Sequence, residues 1–415
     1  MATELRDRPA AKEQCQVGGV RLDRPFRIRR LGHFGFNVHD MESNAKFYTD
    51  LLGFNLSDPI DFGSRVQDKA KLEGKGSGIG WFMRHGTDHH SFVVFPRRIL
   101  NLMQGKDKDD SDITINQITW QVGSLREVTE AVRWLGERKV KIRRTGRDTP
   151  GSNWHVYPFD PDGHINELYY GIEQIGWDGL SKPRTMYNRG FHDTPSLPQI
   201  SEFQEVEEAV KAGVEVHSGY RYKPAGEARY DVGGILLPRP FKVAKIGPLH
   251  MFVRNMEAAV AFYRDELGLA VTEEITWQGH RCVFLRCNTE HHSIGLYPIA
   301  LRSVLGLSPH TTCLSFGMQL AEYVQLRDAR GWLAEKGVTV KYLPPELFPG
   351  MDHSAFAIDP DGHAIQLYHY MEQIGWDGRP RPASQRRPVD NDNWPELIDA
   401  QPDSFMGEAY MGPWG

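Results

Sequence analysis

The chain has 415 residues, of which 40% are hydrophobic and 25% are charged, and its formal net charge is −5. A chain of this length is too long for one compact core and predicts two to four domains. The mild charge gives no support to a nucleic-acid partner, and no run of about 18 apolar residues predicts a membrane span. The four cysteines fit neither a metal-finger spacing nor a disulfide framework, and the polar first residues lack the apolar core of a signal peptide, so we expect a cytoplasmic protein.

The first predicted strand and helix follow an N-terminal extension of residues 1–28. The phrase "HFGFNV", which begins at His33, alternates as a half-buried strand does. The next phrase, "DMESNAKFYTDLLGF", has helical spacing, with Asp40 placed to cap the helix and Gly53 placed to end it. The strands that follow end in "SFVVFP", which completes a βαβββ module.

The same order of elements then starts again. The phrase "QITWQV", which begins at Gln117, predicts a strand, "SLREVTEAVRWLGERKV" predicts a helix, and "KIRRT", "WHVYPFD" and "INELYYG" predict three further strands. Residues 160–163, "DPDG", have the composition of a tight turn. Residues 29–180 are therefore predicted to form one domain of two βαβββ modules.

The second half of the chain repeats phrases of the first. "NWHVYPFDPDGHINELYYGIEQIGWDG" returns as "HSAFAIDPDGHAIQLYHYMEQIGWDG", and "TDHHSFVVFP" returns as "TEHHSIGLYP". Such duplication predicts two versions of one domain, the second over residues 243–380. The connector between them, residues 181–242, contains one predicted helix, "ISEFQEVEEAVKAG". The C-terminal arm, residues 381–415, is Pro-rich but contains several aromatic residues, which leaves a packed arm and a disordered tail as alternatives.

The predicted fold class is α+β, with four βαβββ modules paired into two incomplete barrels. The inner faces of the strands in such a barrel line a cavity, and residues on the first and last strands can point to one centre. In the first half these residues are His33, Gln117 and Glu167. A carboxylate in an apolar strand is costly to bury unless it is paired or bound to a metal. The alternative is that Glu167 pairs with an arginine and that His33 is a hydrogen-bonded core histidine.

The fourfold βαβββ pattern, the "HHS" phrase and the "DPDGHxxELY" phrase resemble the vicinal oxygen chelate superfamily. Within that superfamily, the chain is most similar to the type I extradiol ring-cleavage dioxygenases. The resemblance covers both halves and implies that His33 and Glu167 ligate a metal. It also implies that His90 is the acid–base group and that Tyr157 contacts the substrate oxygens. Gln117 stands where those dioxygenases have their second histidine ligand.

The third metal ligand stays open at this point. Gln117 offers an amide oxygen, which is a weaker donor than imidazole for the later divalent transition metals. His155 lies on the same strand face as Tyr157 and could supply the missing imidazole or act on the substrate. Its alternative is a histidine that only packs within the strand or at the surface.

The resemblance implies Fe(II) as the metal, with Mn(II) or another divalent ion as the alternative. It implies a small catechol-like aromatic substrate that is cleaved with O2, as in aromatic compound catabolism. Glyoxalase-type members of the superfamily use a glutamine ligand, so a metal-dependent isomerase or lyase is the second hypothesis. A non-catalytic small-molecule-binding protein is the third. Oligomers are common in the superfamily, so the resemblance leaves a homo-oligomer and a monomer open, and no nucleic-acid or membrane partner is expected.

The second half keeps His292 of its "HHS" phrase but changes the other positions of the set. The residues found in place of the first half's set are Pro248, His250, Phe356 and Gln366. We expect the third ligand position at Thr311 or Thr312. Because the anionic ligand is missing, the second half is predicted to have lost metal binding and to have kept only the fold.

Overall fold

The computed structural model describes residues 14–106, 109–147, 150–151, 153–187, 193–222, 226–389 and 393–398. This part of the chain contains two eight-stranded mixed sheets. A short hairpin precedes the first sheet and consists of β1 (Cys15–Val17) and β2 (Val20–Leu22).

The first sheet consists of residues from both predicted modules of the first half. Its strands are β3 (Ile28–Val38), β4 (Asn55–Asp61), β5 (Ile79–Arg84), β6 (Phe92–Pro96), β7 (Ile115–Val122), β8 (Ile142–Gly146), β9 (Trp154–Pro158) and β10 (Asn166–Tyr170). Its helices are α1 (Met41–Lys46), α2 (Arg97–Met103) and α3 (Leu125–Glu137). The strands lie in the order β4-β5-β6-β3-β7-β10-β9-β8, with β3–β6 and β7–β10 parallel. The first strands of the two modules, β3 and β7, are antiparallel neighbours at the centre.

The connector between the sheets contains the predicted helix and a further hairpin. The helix is α4 (Glu202–Lys211), and the hairpin consists of β11 (Tyr230–Val232) and β12 (Ile235–Leu237). Ser201 caps α4 by accepting a hydrogen bond from the backbone N–H of Gln204. The connector also carries Tyr187, which reaches the first unit.

The second sheet repeats the order of the first. Its strands are β13 (Val243–Val253), β14 (Ala270–Trp277), β15 (His280–Arg286), β16 (Ile294–Pro298), β17 (Cys313–Leu320), β18 (Val340–Lys341), β19 (Ser354–Ile358) and β20 (Ala364–Tyr368). Its helices are α5 (Met256–Ala261), α6 (Leu301–Val304) and α7 (Tyr323–Glu335). The predicted α+β class with four paired βαβββ modules is confirmed, and neither sheet closes into a barrel. None of the described helices has the length and apolarity needed to cross a membrane.

The turn from β3 into α1 follows the sequence pattern. Asp40 accepts a hydrogen bond from the backbone N–H of Ser43 at 3.0 Å, as an N-cap does. The helix continues as a π-helical turn, Phe47–Leu51, and ends at Gly53, whose φ of +85° suits a residue without a side chain. The π turn, which recurs after α5 over Phe262–Glu266, is not visible in the apolar periodicity.

The two units share one hydrophobic core and are joined by reciprocal hydrogen bonds. The Tyr48 hydroxyl donates to Asp359 at 2.8 Å, and the Tyr263 hydroxyl donates to Asp160 at 3.1 Å. Both aspartates open the "DPDG" turns of the repeated phrase. The two aspartates of the repeated phrase therefore hold the units together.

The described part of the C-terminal arm packs on the second unit. Trp394 stacks on Tyr323, with ring centroids 6.1 Å apart and planes 13° apart, and the guanidinium carbon of Arg330 lies 4.0 Å from its ring centroid. The Tyr323 hydroxyl also donates to the carbonyl oxygen of Pro395 at 2.6 Å. A packed arm is therefore present here, while the other aromatic residues of the arm lie outside the described residues.

Candidate active site

An irregularity in β3 sets the position of His33. The pairing of β3 with β7 shifts by one residue between Leu31 and Phe34, which is a β-bulge. Bulges interrupt the regular ladder and re-aim a side chain, and here the hydroxyl of Thr119 replaces the lost backbone partners. It accepts the backbone N–H of His33 at 2.6 Å and donates to the His33 carbonyl. The imidazole of His33 is fully buried as a result.

Glu167 on β10 is fully buried, and both of its oxygens have partners. Oε2 lies 3.0 Å from His33 Nε2, and Oε1 accepts a hydrogen bond from Asn153 Nδ2 at 2.8 Å. Burial alone would raise the pKa of Glu167, but His33, with His155 and Asn153, outweighs it and holds this pKa below its ordinary value. The carboxylate is therefore charged near neutral pH. An arginine partner, the alternative raised by the sequence, is not among its hydrogen bonds or ion pairs in the described residues.

A cavity of about 760 Å³ opens above this pair. Five of the six candidate residues line it: His33, His90, Gln117, Tyr157 and Glu167. The sixth, His155, is fully buried beside Tyr157, with ring centroids 4.6 Å apart, and is not part of the lining. The volume is in the range of pockets that enclose small organic ligands.

A chain of hydrogen bonds that sequence analysis missed orients His90. The Tyr187 hydroxyl donates to Asp58 Oδ2 at 2.5 Å, and His89 Nε2 lies 2.7 Å from the same oxygen. His89 Nδ1 in turn lies 3.0 Å from His90 Nδ1. A carboxylate only accepts, so His89 carries its proton on Nε2 and must accept at Nδ1 the proton of His90 Nδ1. His90 Nε2 is left with a lone pair.

His90 therefore has the properties of a base. Its ring lies 4.3 Å from the ring of His33, centroid to centroid, and lines the same cavity. Burial, together with the neighbouring His33 and His89, lowers the pKa of His90 well below its ordinary value, so the imidazole is neutral near neutral pH. No hydrogen bond from the described residues reaches Nε2.

The second unit has the same chain of hydrogen bonds, but there the last nitrogen of the chain has a partner. His291 Nε2 lies 2.9 Å from Glu273 Oε2, and His291 Nδ1 lies 2.9 Å from His292 Nδ1. His292 Nε2, the counterpart of the free nitrogen in the first unit, lies 2.8 Å from His250 Nε2. The base of the second unit is therefore capped by another imidazole.

A difference in where a glycine stands explains this cap. Gly35 on β3 pairs with Val93 on β6, whereas His250, at the matching position of β13, pairs with Gly295 on β16. A Cβ at Gly295 would lie 2.7 Å from His250 Cδ2, so the imidazole needs that glycine. In the first unit the equivalent residue is Gly35, which has no side chain to cover His90.

Ser315 is the residue of the second unit that corresponds to Gln117, so the prediction of Thr311 or Thr312 at this position is wrong. Ser315 is paired with β13 at the register position where Gln117 is paired with β3. The two threonines hydrogen-bond to the first unit instead. The error arose because the strand β17 begins only at residue 313.

The place of the cavity is filled in the second unit. Phe348 packs against His250 and Phe356, with ring centroids 5.0 and 4.9 Å apart. Gln366 donates from Nε2 to Ser354 Oγ at 3.0 Å, while its buried Oε1 has no hydrogen-bond partner in the described residues. Among the described residues, the second unit therefore has an amide in place of the carboxylate and aromatic rings packed against His250.

The candidate metal ligands of the first unit are an imidazole, a carboxylate and an amide. Within the described ranges, no group of three His, Cys, Asp or Glu side chains is arranged to hold a metal. His33 Nε2 and Glu167 Oε2 are 3.0 Å apart, which is about the separation of adjacent ligands on one octahedral ion. A third donor must be of another type, and Gln117 lines this cavity whereas His155 does not. One imidazole with oxygen donors suits Mn(II) or Fe(II) better than a thiophilic metal.

Comparison with known proteins identifies the family. A family model described as the Glyoxalase/Bleomycin resistance protein/Dioxygenase superfamily matches residues 30–168 and 245–367. The chain belongs to this superfamily. Among curated relatives, a 3-methylcatechol 2,3-dioxygenase of Pseudomonas putida is 25% identical over 175 residues, which are 42% of this chain and 51% of that protein. The alignment thus spans about half the length of the dioxygenase.

Solved structures of the superfamily share the fold. The Mn(II)-bound glyoxalase from Novosphingobium aromaticivorans has a TM-score of 0.52 and 16% identity, and the match covers 88% of this chain and 90% of that one. The 2,3-dioxygenase LapB from Pseudomonas sp. KL28 has a TM-score of 0.53 and 14% identity, with 86% and 96% covered. The superfamily resemblance predicted from the repeated phrases is confirmed by the match to the family model.

Four residues around the site were not among the predicted ones: Asp58, His89, Asn153 and Tyr187. Two of them had a signal in the sequence, since His89 belongs to the "HHS" phrase and Asn153 opens the repeated phrase. Nothing in the sequence marks Asp58 or Tyr187, because their partner in the chain of hydrogen bonds is brought to them only by the fold.

Proposed function

We propose that the first unit is a metal-dependent, extradiol-type dioxygenase that cleaves the ring of a catechol-like substrate. The observation that carries this proposal is the buried His33–Glu167 pair at the floor of a cavity, beside a neutral His90 whose Nε2 is open. The curated relative, a 3-methylcatechol 2,3-dioxygenase, supports the reaction class.

His33 and Glu167, with Gln117 as the third donor, would hold the metal. Fe(II) is the preferred ion, and Mn(II) is the alternative. When bound, such an ion supplies open positions for the two oxygens of a diol and for O2. Both atoms of O2 enter the product while a carbon–carbon bond beside the diol breaks, so no external reductant is required.

The protein's own groups handle protons and position. His90 Nε2 takes a proton from a diol hydroxyl, because His90 lines the cavity, Nε2 keeps its lone pair and the Nδ1 proton is held by His89. The hydroxyl of Tyr157, which lines the same wall, hydrogen-bonds a substrate oxygen. The aromatic side chains Phe82 and Phe95 give the cavity apolar walls against which a ring can pack.

The test combines metal analysis with oxygen uptake. The full chain is loaded with Fe(II) without air, its metal content is measured, and O2 consumption is followed after addition of a catechol. We expect about one metal per chain, one O2 consumed per catechol and a ring-opened semialdehyde acid seen by its absorbance. Metal binding without oxygen uptake would refute ring cleavage.

A glyoxalase-like isomerase or lyase is the second candidate. Gln117 favours it, because glutamine is a ligand type that glyoxalase members of the superfamily use, and the fold matches a Mn(II)-bound glyoxalase. In this reaction His90 or Glu167 would move a proton between adjacent carbons without O2. Conversion of a hemithioacetal by the metal-loaded protein would support this candidate, and a chain that binds no metal would leave only a ligand-binding role.

A further inference from the structure

The cavity of the first unit has a one-sided charge. Six cationic side chains line it: Arg65, Arg97, Lys106, Lys141, Arg143 and Arg144. In its described lining, Glu167 is the one acidic side chain. The whole chain has a net charge of −5, so composition alone would not give this excess. A concave surface lined by charges of one sign concentrates ligands of the opposite sign.

The charges are separated along the depth of the cavity. Glu167 and His33 are fully buried at one end. The exposed members of the cationic set lie at the other end, which is the mouth: Arg65, Lys106, Lys141 and Arg143. Apolar side chains such as Phe62 and Ile165 also line the cavity. A ligand that fits this arrangement has a polar group for the floor, an apolar body and an anionic group for the mouth.

A second bulge places two arginines side by side at the mouth. The pairing of β8 with β9 shifts by one residue between Ile142 and Arg144, so Arg143 is the extra residue. Consecutive side chains of a regular strand point to opposite faces, but the bulge lets both Arg143 and Arg144 line the cavity. The guanidinium carbon of Arg144 lies 5.1 Å from the ring centroid of Tyr157, which is itself a candidate substrate contact.

The second unit lacks this bulge. Val340 and Lys341 on β18 pair with Ala357 and Phe356 without any shift. The extra arginine therefore occurs in the copy that has a cavity and not in the copy whose cavity is filled, although both copies have the same strand order. This contrast links the arginine to the ligand and not to the fold.

Arg97 gives an independent indication at the wall of the cavity. It is buried, and its Nε donates to Asp109 Oδ1 at 2.5 Å while Nη2 donates to the Ser111 carbonyl. Its Nη1 is buried without a hydrogen-bond partner in the described residues. A buried guanidinium nitrogen with no acceptor is costly, and an anionic ligand beside Arg97 would offset that cost.

We infer that the substrate is an aromatic diol that carries a carboxylate. The diol lies at the Glu167 end, and the carboxylate lies at the mouth, where Arg143 and Arg144 receive it. The position of the diol rests on the proposed function, whereas the carboxylate site rests on the cations alone. A bare catechol would leave the mouth of the cavity to water.

The test measures binding, so that it does not depend on turnover. The probes are 3,4-dihydroxyphenylpropionate and its methyl ester, titrated by calorimetry into the metal-loaded full chain without O2. We expect the carboxylate to bind at least about tenfold more tightly than the ester at low salt, since charge-assisted hydrogen bonds are worth at least this factor. The ratio should shrink as salt screens the exposed cations at the mouth.

Matched variants separate the site from general charge effects. Arg143→Gln should lower affinity for the carboxylate about tenfold and leave affinity for the ester unchanged. Lys341→Gln, which removes a cation from the matching edge strand of the second unit, should change neither. Equal binding of both probes, or binding of neither, would overturn the inference. Selective binding of the carboxylate without any O2 uptake in air would uphold it and would refute ring cleavage instead.

Discussion

Asp58 and His89 form a buried pair in which Asp58 Oδ2 lies 2.7 Å from His89 Nε2. Neither residue lines the cavity, yet the pair determines which nitrogen of His90 carries a proton. A carboxylate accepts from His89, His89 then accepts from His90, and the lone pair of His90 remains on Nε2. Asp58 is therefore a positioning residue for the proposed base.

Asp58→Asn should reverse these proton positions. The amide would donate to His89 Nε2, His89 would donate from Nδ1, and the proton of His90 would move to Nε2, where it blocks a base. We expect kcat to fall about 10²- to 10⁴-fold, with KM and metal content within about twofold of the parent. Steady-state oxygen uptake checks this. Glu273→Gln makes the same change in the second unit and should leave kcat unaltered; equal loss in both variants would point to a structural role for Asp58.

His90→Phe should separate proton transfer from metal binding. Phenylalanine fits beside Phe82, whose ring centroid lies 4.9 Å from that of His90, but it has no lone pair. Metal content should stay near that of the parent, and turnover should fall about 10²- to 10⁴-fold. The control is His292→Phe, which should keep full activity because its nitrogen is capped in the folded protein. Full activity in His90→Phe would exclude it as the base.

Glu167→Gln should reproduce the second unit, in which Gln366 stands at the position of Glu167 in the repeated phrase. Glutamine keeps the size and can still bond to Asn153, but it removes the negative charge of the proposed ligand beside His33. Bound metal after dialysis, measured by elemental analysis, should fall at least about tenfold. Gln366→Glu should gain no metal, because Phe348 fills that unit's cavity. Retention of metal by Glu167→Gln would contradict the proposed ligand set.

The architecture was predictable because its signals are local or repeated. Strand alternation, the Asp40 cap and the duplicated phrases each lie within a short segment, and together they specify four βαβββ modules. The position of His33 was less accessible, since its bulge depends on Thr119, 86 residues further along the chain. In the second unit Pro248 replaces His33 and Gly317 replaces Thr119. Proline has no backbone N–H to donate and glycine has no hydroxyl to accept it, so the two positions differ together.

The state of each site depends on contacts that no local pattern reports. Gly35 leaves the nitrogen of His90 open, while His250 caps its counterpart, and only the pairing of strands shows that these two residues are equivalent. The arginine pair at the mouth likewise depends on a shift of one residue between β8 and β9. A sequence reading finds the histidines but not whether their nitrogens are free.

Stability should fall on acidification partly through His369. Burial, followed by the neighbouring His353, lowers the pKa of His369 to about 3, so the folded protein holds it neutral. Unfolding frees it to bind a proton below its ordinary pKa of about 6.5. The contribution of neutral His369 to the free energy of unfolding is therefore complete above about pH 6.5 and is lost as the pH falls toward 3.

His369→Phe removes this titration while keeping a ring beside Tyr323, whose centroid lies 5.4 Å away. Between pH 6.5 and 4.5 the parent should lose about 2 to 3 kcal/mol more of its unfolding free energy than the variant does. Urea unfolding at both pH values checks this. His217→Asn, at an exposed position of the connector, should follow the parent. Parallel pH profiles for parent and His369→Phe would show that this imidazole does not contribute.

The arm contact at Trp394 should stabilise the second unit. Its indole stacks on Tyr323 and lies under the Arg330 guanidinium, so Trp394→Ala removes apolar burial and a cation–π contact worth together about 2 kcal/mol. Tm should fall by about 4 to 8 °C. Trp376, which is 101% exposed, offers the matched control, and Trp376→Ala should shift Tm by no more than about 2 °C. If both alanine variants have the Tm of the parent, the arm contact does not stabilise the second unit. If Trp394→Ala has a lower metal content than the parent, the arm affects the first unit as well.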